Sequence, residues 1–277
     1  MALMKRKARI LILCKTYPSP SAKHAETSCV AGMDEWGNLI RLYPVPFRLV
    51  TEAQQFSKWQ WIEATIEKNS ADHRPESHKI GVDSILPGRK VPARDNWHER
   101  RGWLDKLTVY ESFEALDKAR IDSNVTLGLI KPLRITALRI QKSASEKWTP
   151  EEIEKLESMQ RQPSLFADQE RASIKRLEKV PFDFHYLYEC LVDGEVKSHI
   201  HKIVDWEACQ LYRNVHHKHG TPGWEAPFRH KLESELPERD LMLLMGNIHR
   251  FPGQWLIVSL IYPPKRQTED HQQIALF

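Results

Sequence analysis

The sequence predicts an α+β fold in two strand-rich halves, and three observations carry that expectation. Short apolar or alternating runs of strand length recur in both halves. Helical patterns stand between groups of strands instead of alternating with them one for one. A mostly polar and charged helical stretch separates the halves. At 277 residues, with 41% hydrophobic and 28% charged side chains, the chain has material for one large domain or two ordinary ones.

The elements follow in order. "ARILILCK" is a continuous apolar run of strand length, and "SCVAGMDEWGNLIRLYPV" reads as a hairpin with its glycine where the turn needs one. "QWIEATIEKN" alternates with a period of two, as a half-buried strand does, and "HKIGVDSIL" reads as another strand. Helical segments around Trp97–Lys106 and Ser112–Arg120 precede the strand-like "LRITALRIQ". Some five short strands with one helical excursion suggest a small barrel or curled sheet over residues 1–142. In "WTPEEIEKLESMQRQ", Thr149 suits an N-cap, Pro150 the first helical position and Glu152 the reciprocal capping position. Residues 143–179 read as a helical connector. Strands resume over 180–264 with "FDFHYLYECLV" and "VKSHIHKIV" around a "DGE" turn. The helix "DWEACQLYRNVHHKHG" has Asp205 as N-cap and Gly220 at its end. "PERDLMLLMGN" reads as a further helix, and "QWLIVSLIY" as the last strand. The polar stretch over 265–277 reads as a flexible tail.

Net charge is +4, which permits a nucleic-acid surface without requiring one. "ILILC" is too short for a membrane span or a signal core, and the polar "KTYPSPS" follows it, so a cytoplasmic protein is expected. Cys14, Cys29, Cys190 and Cys209 lack zinc-ligand or disulfide-framework spacing and read as buried thiols.

The densest mixture of cations and rings is "IRLYPVPFR", with Arg41, Tyr43, Phe47 and Arg48. A guanidinium that holds a phosphate beside a ring that stacks on a base is what single-stranded nucleic acid requires. Lys15, Lys58 and Trp59 extend such a surface, and Arg74 and Arg213 add cations to it. The alternative is that Tyr43 and Phe47 pack a barrel end while the arginines cap carbonyls or pair with acids. "DHRPES" crowds Asp72, His73, Arg74 and Glu76 into one loop, with His78 just beyond it. Its carboxylates and histidine could hold a divalent ion for phosphodiester hydrolysis over Asp72–Ser77; otherwise Arg74 and Glu76 form ion pairs that join the loop to the barrel. His216, His217 and His219, like His199 and His201, lack a third ligand and are not assigned to a metal. No phosphate-cradling glycine cluster or nucleophile elbow is present, so neither a catalytic residue nor a cofactor is expected.

Taken together, "KTYPSPSAKHAETSCVAG", "GNLIRLYPVPFR", "DHRPESHKI", "VDWEACQLYRN" and "DLMLLMGNIHRFPGQWLIVSLIYPP" make the chain resemble the dual OB-containing domain family of uncharacterised prokaryotic proteins, from Lys15 to Pro264. The resemblance implies two OB-like small β-barrels with inserted helices joined by a helical connector, and a nucleic-acid role in DNA maintenance or anti-phage defence. It brings no catalytic residue.

The last five residues, "QIALF", resemble the short peptide by which bacterial DNA polymerases and repair proteins dock on the replication sliding clamp. Leu276 and Phe277 would fill an apolar pocket, with Ile274 beside them and the Gln273 amide fixing the register. A weaker copy, "QPSLF", spans Gln162–Phe166. The expectation is a non-catalytic protein that binds single-stranded or duplex nucleic acid, is recruited to the clamp by this tail, and has no membrane partner. A metal-dependent nuclease and a protein–protein scaffold are the alternatives.

Overall fold

The computed structural model describes residues 5–157 and 177–266 and is α+β, with two seven-stranded sheets. The first sheet holds β1 (Arg6–Lys15), β2 (Ser19–Ser21), β3 (Ala25–Met33), β4 (Leu39–Val45), β5 (Gln60–Lys68), β6 (Ser77–Ile80) and β7 (Leu86–Lys90). Five of these close a barrel in the order β1-β3-β4-β6-β5, with β5 pairing back onto β1. The β4–β6 contact is parallel, with Arg41 opposite Ser77, and the other pairs of the ring are antiparallel. Helix α1 (Arg94–Leu104) follows β7.

The second sheet runs in the order β10-β11-β12-β14-β13-β9-β8. Its strands are β8 (Val109–Tyr110), β9 (Leu127–Ile130), β10 (Arg134–Lys142), β11 (Phe182–Val192), β12 (Glu195–Ile203), β13 (Met242–Ile248) and β14 (Phe251–Ile261). Between them lie α2 (Phe113–Ser123), α3 (Pro150–Glu157), α4 (Trp206–Gly223) and α5 (Glu225–Arg229). No helix among the described residues is long and apolar enough to cross a membrane.

Local chemistry accounts for the turns. In the β3–β4 hairpin the Asp34 carboxylate accepts from the backbone N–H of Trp36 and Asn38, and Gly37 sits at φ +93°. Asp193 and Gly194 both adopt positive φ in the β11–β12 turn, the pairing that suits a two-residue hairpin. The Asp205 side chain caps α4 by accepting from Glu207 and Ala208 N–H, and Gly220 at φ +64° breaks that helix. The Thr149–Glu152 capping box forms as expected.

Three apolar clusters hold these layers. Ala8, Ile10 and Ile12 of β1 face the interior of the barrel, whereas Leu11 and Leu13 face the second sheet. Both faces of β1 are therefore buried, which is why "ILILC" does not alternate. On the other side, Leu243 and Met245 of β13 pack with Phe184, Tyr186, Tyr188 and Phe228, while Met242 and Leu244 meet Leu11, Trp59 and Trp61 across the seam. The two halves thus share a core.

The sequence-based expectations need correction in three places. Residues 109–142, assigned to the first domain, pair in the second sheet as β8, β9 and β10. The helix expected at "PERDLMLLMGN" is strand β13, because an apolar run buried on both faces carries no period that separates strand from helix. "HKIGVDSIL" is not one strand: β6 stops at Ile80, a 3-10 turn spans Val82–Ser84, and β7 follows.

Candidate functional site

The residues expected to form an open basic and aromatic strip lie mostly in the seam between the halves. Arg41 on β4 is buried. Its Nε donates to Glu76 Oε1 at 2.9 Å and its NH2 group to the Thr126 carbonyl of the second half at 2.8 Å. Arg74 Nε donates to Asp72, and its NH1 group reaches the Asn247 carbonyl at 2.9 Å. Lys58 Nζ donates to the Leu260 carbonyl at 2.7 Å and pairs with Glu207 at 3.1 Å. Burial pulls its pKa down, but Glu207 and Asp205 outweigh that and raise it. Lys15 sits over the Phe47 ring at 4.7 Å and donates to the Phe56 carbonyl, and burial lowers its pKa. Phe47 is buried edge-on against Trp206, and Trp59 against Trp97. Arg48 pairs with Glu26 at 2.7 Å and Arg213 with Glu178 at 2.9 Å. Of the nine, Tyr43 is exposed, at 41%. A guanidinium already bonded to a buried carboxylate and a carbonyl has little left to offer a phosphate, so the Arg41–Arg48 stretch does not form the expected strip.

The Asp72–Ser77 loop is equally committed. Both Asp72 oxygens accept from Arg74, and Oδ2 also accepts from the Ser77 hydroxyl at 2.7 Å. Burial alone would raise the pKa of Asp72, but the bonds from Arg74 and Ser77 hold it well below the usual carboxylate range. Glu76 Oε1 takes Arg41 and the Thr126 hydroxyl. Lys68 Nζ donates to the carbonyls of Arg74, Pro75 and Ser77 and closes the loop from behind. What the sequence could not supply is His249, at the β13–β14 turn. Its ring stacks on that of His73 with centroids 4.8 Å apart, and its Nε2 lies 3.7 Å from Asp72 Oδ1. Asp72 and His249 line a cleft of about 640 Å3 between the halves, with Tyr17, Arg41, Tyr43 and Arg250 on its walls.

The other histidine groups separate. His216 bonds Thr221 Oγ1, and His217 and His219 are exposed on α4. His199 and His201 turn toward Tyr188, whose hydroxyl lies 2.9 Å from His201 Nδ1. Cys14, Cys190 and Cys209 are buried free thiols and Cys29 is partly buried. The clamp-type residues Gln273, Ile274, Leu276 and Phe277, and the second copy at Gln162–Phe166, lie outside the described residues.

A second concavity, of about 790 Å3, was not foreseen. The end of α1, the β9–β10 link, the approach to β13 and the segment after β14 line it. They bring six cations (Arg101, Lys131, Arg134, Arg239, Lys265, Arg266) against two carboxylates, Asp105 and Asp240. Asp240 serves both Arg101 and Lys131, Asp105 takes Arg266, and Arg134 turns to Glu189 on the sheet. Arg239 and Lys265 are exposed and close no salt bridge among the described residues.

Residues 109–277 match the family model of a domain of unknown function, DUF8757, and residues 6–106 match that of another, DUF8758. The division between the two matches falls between α1 and β8, where the chain passes from one sheet to the other. No curated protein matches the chain.

Proposed function

We propose that this chain, which belongs to the DUF8757 family, is a non-catalytic nucleic-acid-binding protein of two oligonucleotide-binding-type barrels that takes a phosphodiester backbone into its basic groove. The observation that carries the reading is the excess of cations over carboxylates in one concavity, with Arg239 and Lys265 exposed and closing no salt bridge among the described residues. An exposed ion pair such as Arg266–Asp105 contributes little to stability and can exchange for a phosphate contact.

Connectivity supports the barrel reading in both halves. Number the ring strands of the first half by chain order as β1, β3, β4, β5 and β6. They then neighbour one another as first, second, third, fifth, fourth and back to first, with third and fifth parallel. This is the order of a five-stranded Greek-key barrel of the oligonucleotide-binding kind. In the second half β9 and β10 are interrupted only at residues 131–133, β10 pairing with β11 and β9 with β13. Taken as one broken first strand, they give the same order with β11, β12, β13 and β14, and β12–β14 is again the parallel pair. A fold of this kind hosts several functions, so the groove carries the functional argument.

The test is fluorescence polarisation of the intact chain with labelled single-stranded DNA, single-stranded RNA and duplex DNA at two salt concentrations. A variant carrying Arg239→Glu and Lys265→Glu is measured beside it. Binding should weaken steeply with salt, and the double variant should flatten the log–log slope on duplex by about 2, since each phosphate contact contributes about 0.9. A slope unchanged by the variant removes the groove from the reading. No binding to any polymer transfers the chain to the scaffold class. Cleavage in magnesium or manganese transfers it to the nucleases, a reading that the bonds occupying the second carboxylate of the Asp72–Ser77 loop, Glu76, disfavour.

A further inference from the structure

We propose that Asp72, His73 and His249 form a transition-metal site at the mouth of the seam cleft, clipping the β5–β6 loop of the first half to the β13–β14 turn of the second. The inference stands on the seam and does not depend on the nucleic-acid reading. Each residue presents one ligand atom, and the three atoms lie within 4.8 Å of one another. A tetrahedral ion with bonds of about 2.0–2.1 Å holds its ligand atoms about 3.3 Å apart. Asp72 Oδ1 and His249 Nε2 stand at 3.7 Å, close to that spacing already. His73 is exposed and its ring lies over that of His249, so rotation about its side-chain torsions suffices to bring a nitrogen in.

The carboxylate is the fixed point. Asp72 is buried, and Ser77 and Arg74 orient it as outer partners orient metal-bound carboxylates. Arg74 also offsets part of its charge, so a labile site is expected in place of a closed structural one. Two imidazoles with one carboxylate suit zinc, cobalt or nickel, whereas magnesium and calcium call for oxygen donors. The open side of the cleft leaves coordination positions for water or an anionic oxygen, the arrangement found in exchangeable zinc sites. Because the ligands come from Asp72–His73 and His249, an ion held there ties the two halves together, and metal should raise the thermal midpoint with the logarithm of its concentration above the dissociation constant.

The experiment uses the full chain stripped with chelator. Cobalt(II) is titrated while visible absorption reports tetrahedral coordination, and zinc(II) binding is measured by calorimetry. His249→Ala and His73→Ala are compared with His217→Ala/His219→Ala, which removes the exposed histidines of α4 as a competing site. All four positions are partly or fully solvent-accessible, so the variants should fold, and circular dichroism verifies it. A single equivalent of metal is expected, weakened about tenfold or more by either cleft substitution and unchanged by the α4 pair. Metal lost only in the α4 variant, retained in both cleft variants, or not bound at all overturns the proposal.

Discussion

Replacing Arg41 with methionine removes a deeply buried charge from the seam. The Arg41 and Glu76 side chains are 3% and 9% exposed, and their 2.9 Å bond joins a network that includes both the hydroxyl and the carbonyl of Thr126 in the second half. Once the guanidinium is gone, the Glu76 carboxylate is left uncompensated among buried groups, and the Thr126 carbonyl loses its donor. Breaking a buried pair in this way typically costs about 3–5 kcal/mol. With a urea m-value of about 3 kcal/mol/M, the midpoint falls by about 1 M or more. Because the bond crosses the seam, the loss should also separate the unfolding of the two sheets, read as a second transition in circular dichroism or tryptophan fluorescence. Methionine also fits the constraint set by Gly246, where a Cβ would stand 3.3 Å from both Arg41 terminal nitrogens and thus shows how closely the backbone approaches. The double variant Arg41→Met/Glu76→Leu removes both charges, so it should lose less than Arg41→Met alone. A loss below about 1 kcal/mol for Arg41→Met, or a double variant equal to the sum of the singles, refutes the view that a coupled buried pair holds the halves together.

Two further outcomes are expected. Burial, followed by repulsion from His199 and His185, lowers the pKa of His201 to about 4. An unfolded histidine titrates at about 6.5, so between those values the unfolded chain binds a proton that the folded one refuses, and stability falls as pH drops through the window. The loss from pH 7 to pH 5 should be about 2 kcal/mol in urea titrations and should shrink in His201→Gln; equal acid sensitivity in the two proteins would remove His201 as its source. Deleting Ile274–Phe277 should abolish calorimetric binding to a bacterial sliding clamp, and the clamp reading fails if the intact chain does not bind or the deletion changes nothing.

The misread stretches share one physical cause: the sequence shows which residues are chemically able to meet a ligand but not what already faces them. "IRLYPVPFR" has the composition of a nucleic-acid strip, yet the outward face of β4 meets the second half, so Arg41 is used up on Glu76 and Thr126. Of the alternative for that stretch, the arginines do pair with acids and Phe47 is packed inside, whereas Tyr43, expected to pack beside it, is exposed. A clue lay in "ILILC" and "LMLLM", runs too apolar for a barrel wall with one wet face. Each meant that a strand was covered on both sides, and hence that the halves were fused along a seam. What no local pattern contains is convergence. His249 reaches Asp72 over more than 170 positions, and the groove cations come from four separate segments, none of them basic enough alone to attract notice. Turns and caps were legible because their chemistry is complete within a few residues, as at Gly37, Thr149 and Asp205. A site assembled by tertiary packing is legible only once the packing is known, and here the shared apolar seam is what brings a loop of the first barrel against a turn of the second sheet.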